Sequence, residues 1–398
     1  MRIRGLGIFA TFGPAWLVMM ADMDASSIIG AAETGALYHY DMIWFLVLLI
    51  MPLYYIQATS GRIGLATGSG LGETIRDNFG KKIALAATLP MAITDVITYV
   101  AEYLGIALGF DILGVPAYVS LPIVFVAHIA VLLRGQYRNA ERIMLGVSFI
   151  LIASFVLELT FRGILPDRIF YISTERSYLF FLAANAGAVV MPFMLFFQAS
   201  ATARKLPGKS SDANSVKKTF SKIRKETLAG AVTTEALMII VEMVATGTPN
   251  YGGFVSARDI ALSLDGVAGP LSPYVFAVGI IAAGFLALVI VSLGSAWGVV
   301  EAAGLGDFGA YVLYVVESIP ALAAGLLIPE EMLLNAVLYV LVIFVFALIG
   351  PGILLGFIGS SRKIMGRMAM NRREMAAYSG SLIFVIACGI IYVASSFL

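Results

Sequence analysis

Residues 19–30 read MMADMDASSIIG, so that Asp22 and Asp24, followed by Ser26 and Ser27, stand inside a stretch that is otherwise apolar enough to cross a bilayer. A carboxylate in a hydrocarbon interior is costly unless it faces water, a partner or an ion. The interiors of the apolar stretches offer no lysine or arginine to pair with Asp24, which makes a bound cation its expected partner. A second stretch, NAGAVVMP (185–192), offers complementary chemistry. Pro192 lacks an N–H and obstructs the preceding turn, and Gly187 loosens the same segment, so carbonyls around Ala188 should be released from the helical ladder.

These residues need helices that cross a membrane. Of the 398 residues, 60% are hydrophobic and 13% charged, with a mean hydropathy of +0.93, more than one water-soluble core requires. Apolar runs of spanning length recur along the whole chain and predict an all-α polytopic membrane protein. The eleven expected spans are 9–31, 41–59, 82–110, 115–133, 143–161, 179–203, 226–248, 271–300, 309–328, 332–359 and 375–398. The positively charged start MRIRGLGIFATFGPAW has no convincing cleavage site and is read as retained.

Twenty-two of the 26 lysines and arginines fall at the N-terminus or after even-numbered spans: Arg2, Arg4, Arg62, Arg76, Lys81, Lys82, Arg134, Arg138, Arg142, eight residues from Arg204 to Lys225, and Arg362, Lys363, Arg367, Arg372 and Arg373. Only Arg162, Arg168, Arg176 and Arg258 fall on the other side. The positive-inside rule then places the N-terminus in the cytoplasm and the C-terminus outside, and the expected location is a plasma membrane of prokaryotic type. A basic loop, 204–225, follows the first half and span 6 (1–203); spans 7–10 fill 226–360, a second cytoplasmic loop covers 361–374, and span 11 takes 375–398. Five spans followed by five require the second set to enter from the opposite side, the topology of inverted repeats. Such carriers place their site where the first helix of each repeat is unwound, which matches the positions of Asp24 and Pro192.

The segment GPAWLVMMADMDASS (13–27) resembles the first-helix stretch of the natural resistance-associated macrophage protein (NRAMP) family, where Gly-Pro-Gly precedes the metal motif Asp-Pro-Gly-Asn. In that register Asp24 takes the Asp position and Ser27 the Asn position. The segment AGAVVMPFMLFFQAS (186–200) is similar to the family's sixth-helix motif Ala-x-x-Met-Pro-His, with Ala188 at the carbonyl ligand and Met191 at the thioether. QATSGRIGLATGSGLGETIRDNFG (57–80), VAEYLGIALGFDILGVP (100–116), SIPAL (318–322) and SSRKIMG (360–366) fall where related stretches of the family lie. The resemblance implies a LeuT-like fold of two inverted five-helix repeats plus an eleventh helix. It also implies a midplane metal site of Asp24, Ser27, Ala188 and Met191, and secondary transport of a divalent ion by rocking of spans 1 and 6 against spans 3, 4, 8 and 9. Mn²⁺ is the first expected cargo and Fe²⁺ the second; the ion is substrate, and no cofactor is expected.

The chain also departs from the family. Ser27 replaces an amide with a shorter hydroxyl, which widens the site for an ion that keeps some of its water. Asp22 is additional, and can be read as an acceptor behind the ligands, a partner for a hydrated ion or a residue lining the outer vestibule. Where the family carries an Asp three residues before a Glu in helix 3, this sequence has Tyr99 and Glu102. Phe193 and Gln198 replace two histidines, and only Glu317 is charged where the family has arginines in helix 9. Tyrosine and glutamine do not titrate near neutrality, so weak or absent proton coupling is expected. That pattern resembles the NRAMP-related magnesium transporters and makes Mg²⁺, partly hydrated, the alternative cargo.

Asp95 and Glu102, seven apart, share a helical face and could form a secondary cation or proton path, as could Glu235 and Glu242. His128 reads as a hydrogen-bonded structural residue and His39 as a loop residue. With a lone Cys388 and two histidines, a His/Cys zinc centre lacks ligands. LPGKS (206–210) has Ala203 where a phosphate-binding loop needs glycine, and TGSGLGE (67–73) is an incomplete dinucleotide fingerprint. No nucleotide is therefore expected, and the basic loop reads as contact with anionic lipid rather than nucleic acid. No Ser-His or other catalytic arrangement argues for an enzyme. A LeuT-like carrier of an amino acid or organic cation, with Asp24 on an amine, is the remaining alternative; a monomer is expected.

Overall fold

The computed structural model describes residues 12–133, 137–205, 213–248, 257–395 and 397. Arg2, Arg4, Arg134 and LPGKS lie outside the described residues, as do the side chains of Arg138 and Arg258. Among the described residues the chain is helical with no strand, as it must be if every backbone polar group within a bilayer is to be satisfied locally. Its helices are α1 (Pro14–Asp22), α2 (Ala25–Tyr38), α3 (Ile43–Thr67), α4 (Leu71–Phe79), α5 (Lys81–Ile112), α6 (Ala117–Leu133) and α7 (Tyr137–Arg162). They continue as α8 (Arg176–Val189), α9 (Pro192–Lys205), α10 (Ala213–Ala245), α11 (Ala257–Ala268), α12 (Ser272–Ala303), α13 (Asp307–Leu327), α14 (Glu330–Ala347), α15 (Ile349–Ser360), α16 (Arg362–Met365) and α17 (Arg372–Ser395).

Nine helices among the described residues are long and apolar enough to span a membrane. α1 and α2 pass that test together as a pair bent by 45°. The shorter apolar helix Ala117–Val131 occupies the place of expected span 115–133. Several boundaries differ from the sequence reading. From Ala213 onward the basic stretch expected as a loop to 225 is the first part of α10. The expected second loop, 361–374, contains α16 and a turn of 3₁₀ helix, and α17 already begins at Arg372. TGSGLGE closes α3 at Gly68, in the left-handed region, and opens the short helix α4. The helix α11, between expected spans 7 and 8, is too short and polar to read as a span.

At the centre, α12 packs against α5, α7, α9 and α13, and α5 also meets α13 and α14. Small residues permit this closeness, as is usual between membrane helices. A Cβ on Gly284 of α12 would reach Ile106 Cγ1 at 2.8 Å and the Glu102 carbonyl at 3.2 Å. The approach of α14 to α8 is closer still, since a Cβ on Gly187 would run into the Leu341 carbonyl. Gly187→Ala is expected to force the two helices apart and destabilise the protein by about 1–3 kcal/mol, the usual range for overpacking. A thermal melt in detergent checks this, with Gly146→Ala, where a Cβ meets open space, expected to melt like the parent.

The face carrying most of the basic residues is held by links between elements. Glu226 Oε1 accepts from the backbone N–H groups of Gly13 (2.5 Å) and Trp16 (3.0 Å), satisfying the start of α1. Lys205 pairs with Glu141, Arg62 with Glu374 and Arg204 with Asp307. On the opposite face Arg168 pairs with Asp41 (2.6 Å) and His39 with Asp167 (3.1 Å). The Arg168 backbone N–H holds the Asp167 carboxyl below the usual carboxylate range, with help from His39.

Candidate functional site

The helix begun at Pro14 stops at Asp22, and Met23 leaves the helical region (φ −80°, ψ 64°). Asp24 is extended (φ −85°, ψ 176°) and starts a new helix as its N-cap. Its Oδ1 accepts from the Ser27 backbone N–H (2.6 Å) and from the Ser26 hydroxyl (2.7 Å). This is why a sequence with no proline here still breaks: the short polar side chain offers the backbone a better arrangement than a continued helix. A second exposed donor of the new helix, the Ala25 N–H, is taken by Glu102 Oε2 of α5 at 3.1 Å.

Asp24 Oδ2 and the Ser27 hydroxyl are left with no hydrogen-bond partner, although both residues are buried. A buried carboxylate oxygen without a donor is expensive, and a bound cation would satisfy it and the neutral hydroxyl together.

In the second broken span α8 ends at Val189, Val190 leaves the helical region (φ −133°, ψ 81°), and Pro192 opens α9. The carbonyl of Ala188 would normally accept from the N–H of residue 192, and proline has none. Gly187, expected as a helix-breaking residue, is instead a regular part of α8; the break falls two residues later and is made by Pro192. Met191 and Ala188 are buried. α1 lies against α9 and α2 against α8, so the two interruptions lie at corresponding levels of adjacent helices. Leu341 of α14 backs both segments, its backbone against Gly187 and its side chain against Gly30.

Each interruption also exposes a helix C-terminus, that of α1 at Asp22 and that of α8 at Val189. Their unsatisfied carbonyls carry partial negative charge, which favours a cation between them. One carboxylate oxygen, a hydroxyl, a carbonyl and a thioether would together make a donor set of mixed hardness.

The remaining expected residues divide into separate groups. Glu102 lies beside Asp24, its Oε1 bare. Asp22 is buried at the end of α1 beside Glu235 of α10, which places it away from any open vestibule. Tyr99, one turn along α5 from Glu102, donates its phenolic hydrogen to Glu317 Oε2 at 2.9 Å. Asp95, another turn away, faces the same Glu317. Gln198 stands apart, between α9 and α10, donating from Nε2 to the Thr227 hydroxyl at 3.3 Å. His128 sits 3.3 Å from the Ser292 hydroxyl and against the Tyr314 ring, in keeping with a structural residue. Sequence reasoning did not connect Asp22 with Glu235, Tyr99 with Glu317, or Glu102 with the start of α2. A carboxylate within an apolar run was the available signal; its partner on another helix was not visible.

With this geometry in place, the sequence model described as natural resistance-associated macrophage protein-like matches residues 15–395. The divalent metal cation transporter MntH of Bacillus subtilis is 28% identical over 300 residues, covering 71% of this chain and 69% of its own length. MntH of Yersinia enterocolitica is 27% identical over 296 residues, covering 71% and 70%. Among solved structures, the manganese transporter of Eremococcus coleocola aligns over 99% of this chain and 88% of its own, with a TM-score of 0.82 at 15% identity. Mhp1, a nucleobase-cation-symport-1 family transporter in a closed conformation, aligns over 96% and 92%, with a TM-score of 0.54 at 13% identity. The fold is that of all-α, LeuT-like membrane transporters.

Proposed function

The chain belongs to the natural resistance-associated macrophage protein-like family, and from that premise we propose that it carries divalent metal ions across the membrane by alternating access, with Mn²⁺ the principal cargo and Fe²⁺ the second. Asp24 Oδ2, the Ser27 hydroxyl, the Ala188 carbonyl and the Met191 sulfur hold the ion. The observation that carries this reading is the pair of bare oxygens on Asp24 and Ser27 at one helix interruption, beside a second interruption where Pro192 cannot supply the helical donor of the Ala188 carbonyl.

Each residue has a task. Asp24 supplies the charge, while its other oxygen keeps α2 capped. Glu102 holds the Ala25 N–H and so orients the segment that presents Asp24. Met191 biases the site toward transition metals, because a thioether gives little to a hard alkaline-earth ion. α1, α2, α8 and α9 rock together against α5, α6, α12 and α13, exposing the site first to one side and then to the other. The N-terminus lies in the cytoplasm, in accord with the distribution of positive charge.

A second reading, transport of partly hydrated Mg²⁺, is favoured by one observation. Tyr99 stands at the helix position where the resemblance expects an aspartate, and its hydroxyl is committed to Glu317 Oε2 at 2.9 Å. Uptake into proteoliposomes containing a pH reporter separates the two. Mn²⁺ uptake that excludes a hundredfold excess of Mg²⁺, with no internal acidification, supports the manganese reading with weak coupling. Free Mg²⁺ uptake would favour the second reading, and movement of neither ion would overturn both.

A further inference from the structure

Where the chain turns back between α15 and α17, on the basic face, lies a cavity that the metal site does not involve. α15 lays a glycine face along α17 and the segment before it. A Cβ on Gly356 would reach Tyr378 Cε1 at 2.8 Å, and one on Gly359 would reach the Met370 methyl at 2.7 Å. The Tyr378 hydroxyl donates to the Gly352 carbonyl at 2.5 Å, and the Met370 N–H donates to the Gly359 carbonyl at 2.8 Å. Beside this seam is a cavity of about 400 Å³ whose walls include Ser360, Asn371, Arg372, Met375, Ala376 and Ser379. Its size falls within the range of about 300–1,000 Å³ common to ligand sites.

Charge is the first guide to what fits there. Arg362, Lys363, Arg367, Arg372 and Arg373 crowd the turn, and none of them forms an ion pair among the described residues. The adjoining carboxylate, Glu374, is already committed: Arg62 pairs with it, and its Oε2 accepts from the Asn371 N–H at 3.0 Å. The first N–H groups of α17 are occupied as well, since Asn371 Oδ1 accepts from Arg373 and Glu374 at 3.0 Å each. An anion here would therefore be met by side chains. The positive-inside rule accounts for cations on this face, but not for a cavity with an arginine in its wall. The second guide is what lies deeper in the membrane. Phe357 and Ile353 share the α15 face of Ser360, and Ile383 shares the α17 face of Ala376. These three are 62%, 45% and 65% exposed, as apolar side chains facing hydrocarbon are. Cations thus stand at the surface end of the cavity and lipid-facing side chains at its inner end.

A ligand with an anionic head and an apolar tail matches both, and basic pockets between spans are a known form of lipid site. We propose that this cavity binds an anionic phospholipid from the leaflet on the basic face, its phosphate on Arg372 and its acyl chains along Phe357 and Ile383. The lipid fastens α17 to α15 at the membrane surface. It is not cargo and does not touch the metal ligands.

The test is native mass spectrometry of the purified, delipidated full-length protein with phosphatidylglycerol or phosphatidylcholine added. It requires no uptake, so it stands or falls separately from the transport reading. One phosphatidylglycerol should bind at a concentration about tenfold or more below that needed for phosphatidylcholine. Its binding should weaken by about the same factor in Arg372→Gln, which removes charge, and in Ala376→Phe, which fills the cavity and keeps the charge. Lys82→Gln, which removes an exposed cation elsewhere on the basic face, should bind as the parent does. Arg372 and Ala376 are exposed, so both variants should melt like the parent without lipid. Phosphatidylglycerol should raise the melting temperature of the parent and of neither variant. Equal binding of the two lipids would overturn the proposal, as would binding that survives both Arg372→Gln and Ala376→Phe. Displacement of the lipid by equimolar inorganic phosphate would assign the cavity to a soluble anion, and a dimer that disappears in Ala376→Phe would assign it to a second copy; either result overturns it too.

Discussion

Asp24→Asn is expected to reduce Mn²⁺ uptake at least a hundredfold while leaving the protein folded. Asparagine caps a helix about as well as aspartate, so the bond from the Ser27 N–H at 2.6 Å can be kept. What disappears is the one formal negative charge among the four proposed ligands. Loss of an outer partner to a metal ligand already costs about 10–100-fold in affinity, and loss of the charged ligand itself should exceed that. Asp24→Ala should lose the cap as well, with about 1 kcal/mol of additional destabilisation. Comparing uptake and melting temperature for the two variants separates charge from cap. Uptake by Asp24→Asn within a few fold of the parent would remove the proposed centre from Asp24.

Met191→Ala is expected to change selectivity rather than abolish transport. Removing the sulfur deletes the one ligand that distinguishes Mn²⁺ from Mg²⁺ by softness, leaving three oxygens and space for water. The ratio of Mn²⁺ to Mg²⁺ uptake should fall about tenfold or more, each tenfold step corresponding to about 1.4 kcal/mol. Part of any loss of stability will come from the cavity left by a fully buried side chain, so the ratio of the two ions, not the absolute rate, is the informative quantity. An unchanged ratio would mean that Met191 only fills space.

The spans were legible because a bilayer demands long apolar helices, and that demand is written in composition over twenty residues at a time. Asp24 and Pro192 could be read for the complementary reason: each is a residue that an unbroken apolar helix would not tolerate cheaply. Boundaries on the basic face were less visible. Residues 213–225 look like a soluble loop, yet they continue α10 beyond its apolar part. The amphipathic helices α4 and α11 carry too few consecutive apolar residues to announce themselves. The missing rung before Pro351, which leaves the Ala347 carbonyl without its usual donor, is hidden in a uniformly apolar run. Partnerships across helices were beyond reach for a different reason. Whether Glu317 meets Tyr99 or Glu235 meets Asp22 depends on how each helix is rotated about its axis, which packing decides.

The division of labour within the Asp24 carboxylate bears on the unloaded half of a transport cycle. A carrier that exchanges no cargo on its return must cross back with its site empty, when an unwound segment is most prone to collapse into continuous helix. One oxygen of Asp24 is bonded to the Ser26 hydroxyl and the Ser27 N–H, and Glu102 to the Ala25 N–H, and none of these bonds calls on the Asp24 oxygen proposed to hold the ion. Those bonds give the vacant segment a fixed shape of its own. Departure of the metal then removes a guest without dismantling the receptor, and the next ion meets ligands whose ordering has already been accomplished by the fold.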